Sequence, residues 1–384
     1  MDERVLFDRR RLVFAPLSTR RNLVSLAEIA VPTDIEGARD TLDSLPRALR
    51  AGVERCAAAI AGARNRGRPV VCAFGAHAIK NGLGPLLAAF AETGLVNHFA
   101  TNGAGVIHDW EIAHQGATSE DVRENAPAGR FGMWEETGFS INAALLVGAW
   151  RGSGYGESVG DFIAGDGTEV PSADELERTL RDPASPHDKA AAAADLLDAI
   201  ARGLLKEGRI VTAHPYKEAS LHYRARRAGL PFTSHPMIGH DIIYAHPLSS
   251  GAAIGRTAER DFLCYAASIA EVADGGVYLS VGSAVMSPMI FEKSFSMAMN
   301  LARTEGRSPR GHDVFVVDIQ EGDWDWRNGE PPPTDPGYYR RFMKTFARMG
   351  GRTEYLCLDN RAFFLSLWAL LGAGGESRYR EERT

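Results

Sequence analysis

The residues best suited to chemistry fall in four polar clusters, each following a segment that is predicted to be a β-strand. The clusters are His77/Lys80/Asn81, Asn102/His108/Asp109, His235/His240/Asp241/His246 and Gln320/Glu321/Asp323/Asp325. Because ligands of open α/β sheets bind outside the carboxyl ends of the strands, we expect the four clusters to face one cleft. His108 is the expected acid–base residue, since an unperturbed imidazole titrates near neutral pH.

Glycines accompany two of these strand ends and indicate a nucleotide or another polar ligand. Gly75 follows the predicted strand 70–74, and Asn102-Gly103-Ala104-Gly105 follows the predicted strand 96–101. Glycine lets a backbone approach a ligand closely, and the helix N-terminus after such a turn favours an anion. The alternative is a tight turn beside a histidine of the core.

The run SHPMIGHDIIYAHP admits a metal site, because imidazole and carboxylate together suit zinc or iron. Its spacing matches no recognised ligand motif. The alternative is a set of histidines bonded to backbone carbonyls around a turn.

The loop 321–326 combines acids with tryptophans. This composition suits a cationic or amine substrate through charge pairing and cation–π contact. A solvated acidic loop with its tryptophans packed on the domain surface is the alternative.

Composition limits the class of protein. The 384 residues are 45% hydrophobic with a net charge of −6, which is typical of a globular enzyme and argues against a general nucleic-acid binder. Four scattered cysteines form no CxxC pair or disulfide framework. No signal-peptide h-region and no apolar run of about 18 residues is found, so we expect a cytoplasmic protein without a membrane segment. The fingerprints GxSxG, Walker A and GxGxxG are absent.

The pattern of elements predicts the α/β class: a doubly wound, mostly parallel sheet with helices on both faces. Predicted strands are short and rich in valine, as in a sheet covered on both sides. They lie at 70–74, 96–101, 209–213, 231–234, 277–281, 314–318 and 354–358. We expect an N-terminal arm with helices over 1–66, a single α/β domain over 67–373 with a helical insertion near 167–206, and a charged tail over 374–384. The glycine-rich stretch 152–166 is interpreted as a mobile loop or a connector.

Four segments, in order and spacing, resemble the deoxyhypusine synthase family over most of residues 65–345. They are FGAHAIKNGLGPLLAAFAETGLVNHFATNGAGVIHDWE, RARRAGLPFTSHPMIGHDIIYAHP, GGVYLSVGSAVMSPMIFEKSFSMAMN and DVFVVDIQEGDWDWRNGEPP. The resemblance implies a Rossmann-like NAD-binding domain and a homotetramer. It also implies an enzyme that oxidises spermidine with NAD and passes the aminobutyl group to a protein lysine.

The match to the family is uneven. Thr101, Gly103, Ala104, Gly105, Asp109 and Asp241 fall where the family contacts or supports its cofactor, and Gly282 and Asn300 match its glycine turn and helix asparagine. However, Ile107 and His108 replace two acids of the family, and Ser287-Pro288-Met289 replaces its Lys-His-His. The region 335–342, where the nucleophilic lysine is expected, has Arg340 and Arg341 instead, and the first lysine is Lys344. Because an arginine stays protonated, it does not form the imine readily.

The resemblance and the clusters together predict a diverged, NAD-dependent transferase or oxidoreductase acting on a polyamine, amine or related small polar metabolite. NAD is expected to contact Gly75, His77, Thr101, Asn102, Gly103, Ala104, Gly105 and Gly282. The expected catalytic residues are His108, Asp109, Asp241, Glu321 and Lys344, with Asp109 orienting His108 or bonding the cofactor. The substrate is expected to meet His240, Asp323, Trp324 and Trp326. Two alternatives stay open: a metal-dependent hydrolase or lyase using His235, His240 and Asp241, and a ligand-binding relative without catalysis.

Overall fold

The computed structural model describes residues 6–29 and 35–372. Its strands are β1 Val24–Ser25, β2 Val70–Phe74, β3 His98–Thr101, β4 Ala117–Thr118, β5 Gly167–Val170, β6 Gly208–Val211, β7 Phe232–Ser234, β8 Val277–Val281, β9 Asp313–Asp318 and β10 Arg352–Cys357. The predicted charged tail 374–384 lies outside the described residues.

The α-helices flank these strands. They are α1 Leu26–Ile29, α2 Ile35–Ser44, α3 Arg47–Asn65, α4 His77–Lys80, α5 Gly84–Glu92, α6 Gly103–Gln115, α7 Val122–Asn125, α8 Glu135–Arg151, α9 Tyr155–Ala164, α10 Ala173–Arg181, α11 His187–Ala201, α12 Leu221–Arg227, α13 Gly251–Val272, α14 Met286–Thr304, α15 Arg341–Arg348 and α16 Asn360–Leu371. Short 3₁₀ helices occupy Arg9–Arg11, Leu17–Thr19, Lys217–Ala219, Ile242–Ala245, Trp326–Asn328 and Pro336–Tyr339. Within the described ranges, no helix is both long and apolar enough to cross a bilayer.

Six strands form the central sheet in the order β10-β9-β8-β2-β3-β7, and every neighbouring pair is parallel. Counted along the chain within this sheet, the order is 6-5-4-1-2-3. Read from the other edge it is 3-2-1-4-5-6, the order in which dinucleotide-binding sheets are built. The direction of winding reverses between β2 and β8. The predicted doubly wound α/β fold is confirmed.

Alternate residues of β2 explain why both faces of the sheet are covered. Val70, Cys72 and Phe74 lie in one apolar core with residues of α3, α5 and α16. Val71 and Ala73 lie in a second core with residues of α13 and α14. A strand that is buried on both faces must be apolar at every position, which is why it reads as a continuous hydrophobic run.

A third apolar core joins α6, α8, α9, α10 and α11. Beside it, β5 and β6 form a separate antiparallel pair. The strand predicted at 209–213 therefore belongs to a small two-stranded sheet, and its assignment to the central sheet is wrong.

The glycine-rich pattern of 152–166 predicts a mobile loop or a connector, and that prediction is wrong, since α9 fills most of the stretch. Gly156 serves packing, because a Cβ there would overlap the carbonyl of Phe232 on the edge strand β7. Glycine at this position lets the helix lie directly against the strand.

Candidate functional site

A cavity of about 210 Å³ is formed by residues that follow β2, β3 and β7. Its polar lining includes Lys80, His108, Glu111, His240 and Asp241. Its apolar lining consists of Ile107, Val122, Phe131 and Ile242. The structure thus brings together members of three of the four polar clusters predicted from the sequence.

The start of α6 forms one wall of this cavity. The Asn102 side chain accepts the N–H of Gly105 at 2.9 Å and caps the helix. Gly103 is required there, since a Cβ would overlap the Asp241 carboxylate. Ala104 lines the cavity directly. The N-terminus of α6 and the Asp241 carboxylate are therefore in contact.

Thr101 and Gly105 serve packing rather than ligand contact. Thr101 is fully buried, and its hydroxyl donates to the carbonyl of Phe74 at 3.1 Å. A Cβ at Gly105 would overlap the Thr101 side chain. This pair holds α6 against the ends of β2 and β3.

A chain of hydrogen bonds holds the His108 ring. Thr118 Oγ1 donates to Glu111 Oε2 at 2.6 Å, so it must accept the proton of His108 Nδ1 at 2.7 Å. Glu111 also forms a bidentate ion pair with Arg20, at 2.8 and 2.7 Å, in which both side chains are almost fully buried. The neutral ring is thereby fixed with its proton on Nδ1. Nε2 is left as an acceptor without a partner in the described part of the chain.

Electrostatics around His108 favour this neutral form. Burial lowers its pKa to about 4, the charges of Lys80 and Arg20 act in the same direction, and Glu111 opposes them. Burial acts to raise the pKa of Glu111, but its hydrogen bonds and charge interaction with Arg20 hold that pKa below the ordinary value. At neutral pH the cavity therefore contains an unprotonated imidazole nitrogen beside an ionised, fully paired carboxylate.

Asp241 is half-buried, and its carboxylate Oδ2 is shielded from solvent without a hydrogen-bond partner among the described residues. Burial raises its pKa to about 6. The Tyr155 hydroxyl is buried without a described partner, whereas the buried Tyr244 hydroxyl lies close to the Asp241 carboxylate and opposes part of the effect of burial on its pKa. Burial and then the Asp241 charge raise the pKa of both phenols. Asp241 therefore lies beside two phenols at the end of the cavity.

The two glycine turns meet where the winding of the sheet reverses. A Cβ at Gly75 would overlap the carbonyl of Gly282, so the ends of β2 and β8 touch backbone to backbone. Gly282 has φ +58°, and the nearest atom to a Cβ there would be Asn360 Nδ2 at 4.0 Å. Asn360 in turn accepts from the Asn81 amide at 2.8 Å. His77 is exposed at the start of α4. Gly282 is exposed, so a ligand can approach bare backbone at the end of β8, whereas Gly75 is buried.

Asp109 does not orient His108, and that part of the prediction is wrong. Its fully buried carboxylate accepts from the Ser220 hydroxyl at 2.6 Å and from the N–H groups of Leu221 and His222 at 2.9 and 3.0 Å. Asp109 therefore anchors the start of α12.

The acidic cluster lies elsewhere. Glu321, Asp323 and Trp324 line a separate cavity of about 450 Å³ together with Asp335 and Arg340. The expectation of one cleft for all four clusters is therefore wrong, since β9 lies on the other side of the reversal point from β3 and β7.

Two other expected site residues lie in neither cavity. Trp326 is 2% exposed and packs in the second core. Lys344 is mostly buried, with Nζ 3.5 Å from Glu330 and 3.3 Å from the centre of the Tyr338 ring. These contacts satisfy its charge.

The structure does not bring His235, His240 and Asp241 together as a metal site. His235 is buried, bonded to Thr233 at 3.0 Å, and burial lowers its pKa to about 3. Across residues 6–29 and 35–372, no group of three or more His, Cys, Asp or Glu side chains could hold a metal ion. His246 Nδ1 accepts the N–H of Leu248 at 3.1 Å, a local turn contact.

Several residues of the site were not predicted from the sequence: Arg20, Glu111, Thr118, Tyr155 and Tyr244. Glu111 carried a usable signal, because residues three apart on a helix share a face and it follows His108 by three. Arg20 carried none, since it is 91 positions away from its partner.

No protein-family model and no curated protein matches the chain. Among solved structures, a conserved LOR/SDH protein of Methanococcus maripaludis S2 aligns at a TM-score of 0.41 and 14% identity, covering 86% of this chain and 70% of that one. A ternary complex of AgrE with ornithine and NAD⁺ aligns at 0.42 and 14%, covering 87% and 34%. ArgZ, an arginine dihydrolase from the ornithine–ammonia cycle in cyanobacteria, aligns at 0.40 and 15%, covering 86% and 32%. The chain spans about a third of AgrE and ArgZ, and similarity at this level assigns neither a family nor an activity.

Proposed function

We propose that the protein is an NAD-dependent enzyme acting on a small polar metabolite that carries an amine, with chemistry diverged from aminobutyl transfer. The observation that carries the proposal is the reversal point between β2 and β8, where Gly282 is exposed at the same edge of the sheet as the cavity that His108 lines, here called the His108 cavity. Ligands of sheets with this strand order bind at that point. The sequence resemblance to deoxyhypusine synthase supports the same cofactor, and the homo-oligomer that it implies belongs to the proposal.

Residues present at this point fit a dinucleotide. Gly282 leaves open a space that a side chain would enter, and backbone N–H groups at the start of α6 would face the diphosphate. When bound, NAD⁺ supplies a hydride acceptor. The chain's own residues would do the remaining work: His108 Nε2 takes a proton from the substrate, and Asp241 holds its ammonium group.

Transfer to a protein lysine is not part of this function. The expected nucleophile would have to be Lys344, but its ammonium group is paired with Glu330 and packed on Tyr338. Arg340 stacks on the ring of Tyr355 instead of offering an amine. The proposed reaction therefore ends on a small molecule.

Calorimetric titration with NAD⁺ tests the cofactor. We expect saturable micromolar binding by the wild-type protein and at least tenfold weaker binding by Gly282→Ala, whose methyl group enters the crevice. Gly203→Ala is the matched control, since Gly203 has a similar φ of +69° with no atom within 4 Å of the added Cβ. Both variants carry a similar backbone strain of about 1–2 kcal/mol.

Absence of NAD⁺ binding by the folded wild-type protein would overturn the proposal. Equal binding by Gly282→Ala and Gly203→Ala would place the cofactor elsewhere. Binding of NAD⁺ and an amine without any NADH formation would favour the ligand-binding relative that lacks catalysis.

A further inference from the structure

We infer that the His108 cavity binds a zwitterion, an α-amino acid whose ammonium group lies at Asp241 and whose carboxylate lies at Lys80. This inference rests on the proposed function and names its substrate class. It follows from which charges of the cavity wall are already paired and which are free.

Among the described lysines and arginines that line the cavity, one has no ion pair. Lys80 lines it, is half-buried, and forms no ion pair or hydrogen bond with any described residue. The other cation, Arg20, is committed to Glu111 by two hydrogen bonds. An anionic group of a ligand therefore has one partner available, the Lys80 ammonium.

Among the described carboxylates that line the cavity, one likewise has no ion pair to a lysine or arginine. Glu111 is paired with Arg20, and Glu120 accepts from the Gly132 N–H at 3.0 Å and from the Trp134 indole at 2.8 Å. Among the described residues, Asp241 lines the cavity without an ion pair to a lysine or arginine, and its Oδ2 is buried without a hydrogen-bond partner. Because an unpaired buried charge is unfavourable, a ligand ammonium group at Asp241 would offset the loss of hydration.

Size and polarity favour an amino acid over a polyamine. A volume of about 210 Å³ lined by Ile107, Val122, Phe131 and Ile242 suits a short chain with a partly apolar side chain. A polyamine would place a second cation near Lys80, where like charges repel. His108 Nε2, an acceptor, is free to accept a hydrogen bond from the ligand's ammonium group.

The experiment is a thermal-shift and calorimetric screen at saturating NAD⁺ and without NAD⁺. The probes are the common L-amino acids, L-ornithine, putrescine and spermidine, followed by the decarboxylated and deaminated forms of the best amino acid. We expect that amino acid to bind at least tenfold more tightly than either truncated form. In Lys80→Met, the amino acid should bind less than threefold more tightly than its decarboxylated form. In Asp241→Asn, it should bind less than threefold more tightly than its deaminated form.

Lys206→Met, at an exposed lysine outside the cavity, is the matched control and should keep both preferences. Tighter binding of putrescine or spermidine than of every amino acid would overturn the inference, as would binding of no probe. So would an unchanged preference in Lys80→Met. Amino-acid binding with these preferences but without NAD⁺ binding would sustain the inference and refute the proposed function.

Discussion

Replacing Asp241 with asparagine should stabilise the ligand-free protein at neutral pH. Burial raises the pKa of Asp241 from 3.8 to about 6, so the folded protein holds this proton more tightly than the unfolded chain does. The resulting stability is present below about pH 4 and is lost as the pH rises through about 6. A shift of about two units corresponds to about 3 kcal/mol.

Urea unfolding of the wild-type and Asp241→Asn proteins between pH 4 and 8 measures the effect. The free energy of unfolding of the variant minus that of the wild type should increase by about 2–3 kcal/mol from pH 4 to pH 7. Asp323→Asn, which removes a carboxylate from an exposed position, controls for the change in net charge. If the difference in free energy of unfolding does not change with pH, the Asp241 carboxylate is solvated. That result would refute the inference that Asp241 carries a buried, unpaired charge.

Two further substitutions test other contacts. Thr118→Val removes the acceptor of the His108 Nδ1 proton and should lower the free energy of unfolding by about 1–3 kcal/mol. ¹⁵N NMR of the imidazole should then show that the Nδ1–H form is no longer fixed. An unchanged spectrum would contradict the hydrogen bond from His108 to Thr118. Asp109→Ala leaves the start of α12 without its acceptor and should cost at least about 3 kcal/mol in urea unfolding, with NAD⁺ affinity of the folded protein unchanged. Weakened NAD⁺ binding at full stability would instead return Asp109 to the cofactor site.

The central sheet could be predicted because a parallel strand that is buried on both faces is a short, continuous run of apolar residues. The strand at 277–281 was predicted with the bounds that β8 has in the structure. The stretch 152–166 was not predictable by the same means, since its glycines suggest turns unless the neighbouring strand is known. Gly156 is explained only by its contact with Phe232, 76 positions later in the chain.

The candidate site was predictable as a set of clusters but not as a network. Lys80, His108 and Asp241 follow β2, β3 and β7, which are neighbours in the sheet, and all three residues line one cavity. Asp109 was misassigned because consecutive helix residues point in different directions, so it faces α12 while His108 faces the cavity. The order of the strands in space, which separates the acidic loop from the cavity, cannot be read from local sequence patterns.

The pairing of Arg20 with Glu111 sets an order of assembly for the cavity during synthesis. Arg20 precedes its partner by 91 positions. At about 5–20 residues per second, the segment around Arg20 waits about 5–20 s before Glu111 and Thr118 exist to receive it. The nascent chain must therefore keep Arg20 hydrated until α6 has been synthesised. The hydrogen-bond network that holds His108 is complete only after the segment around Arg20 packs against that helix.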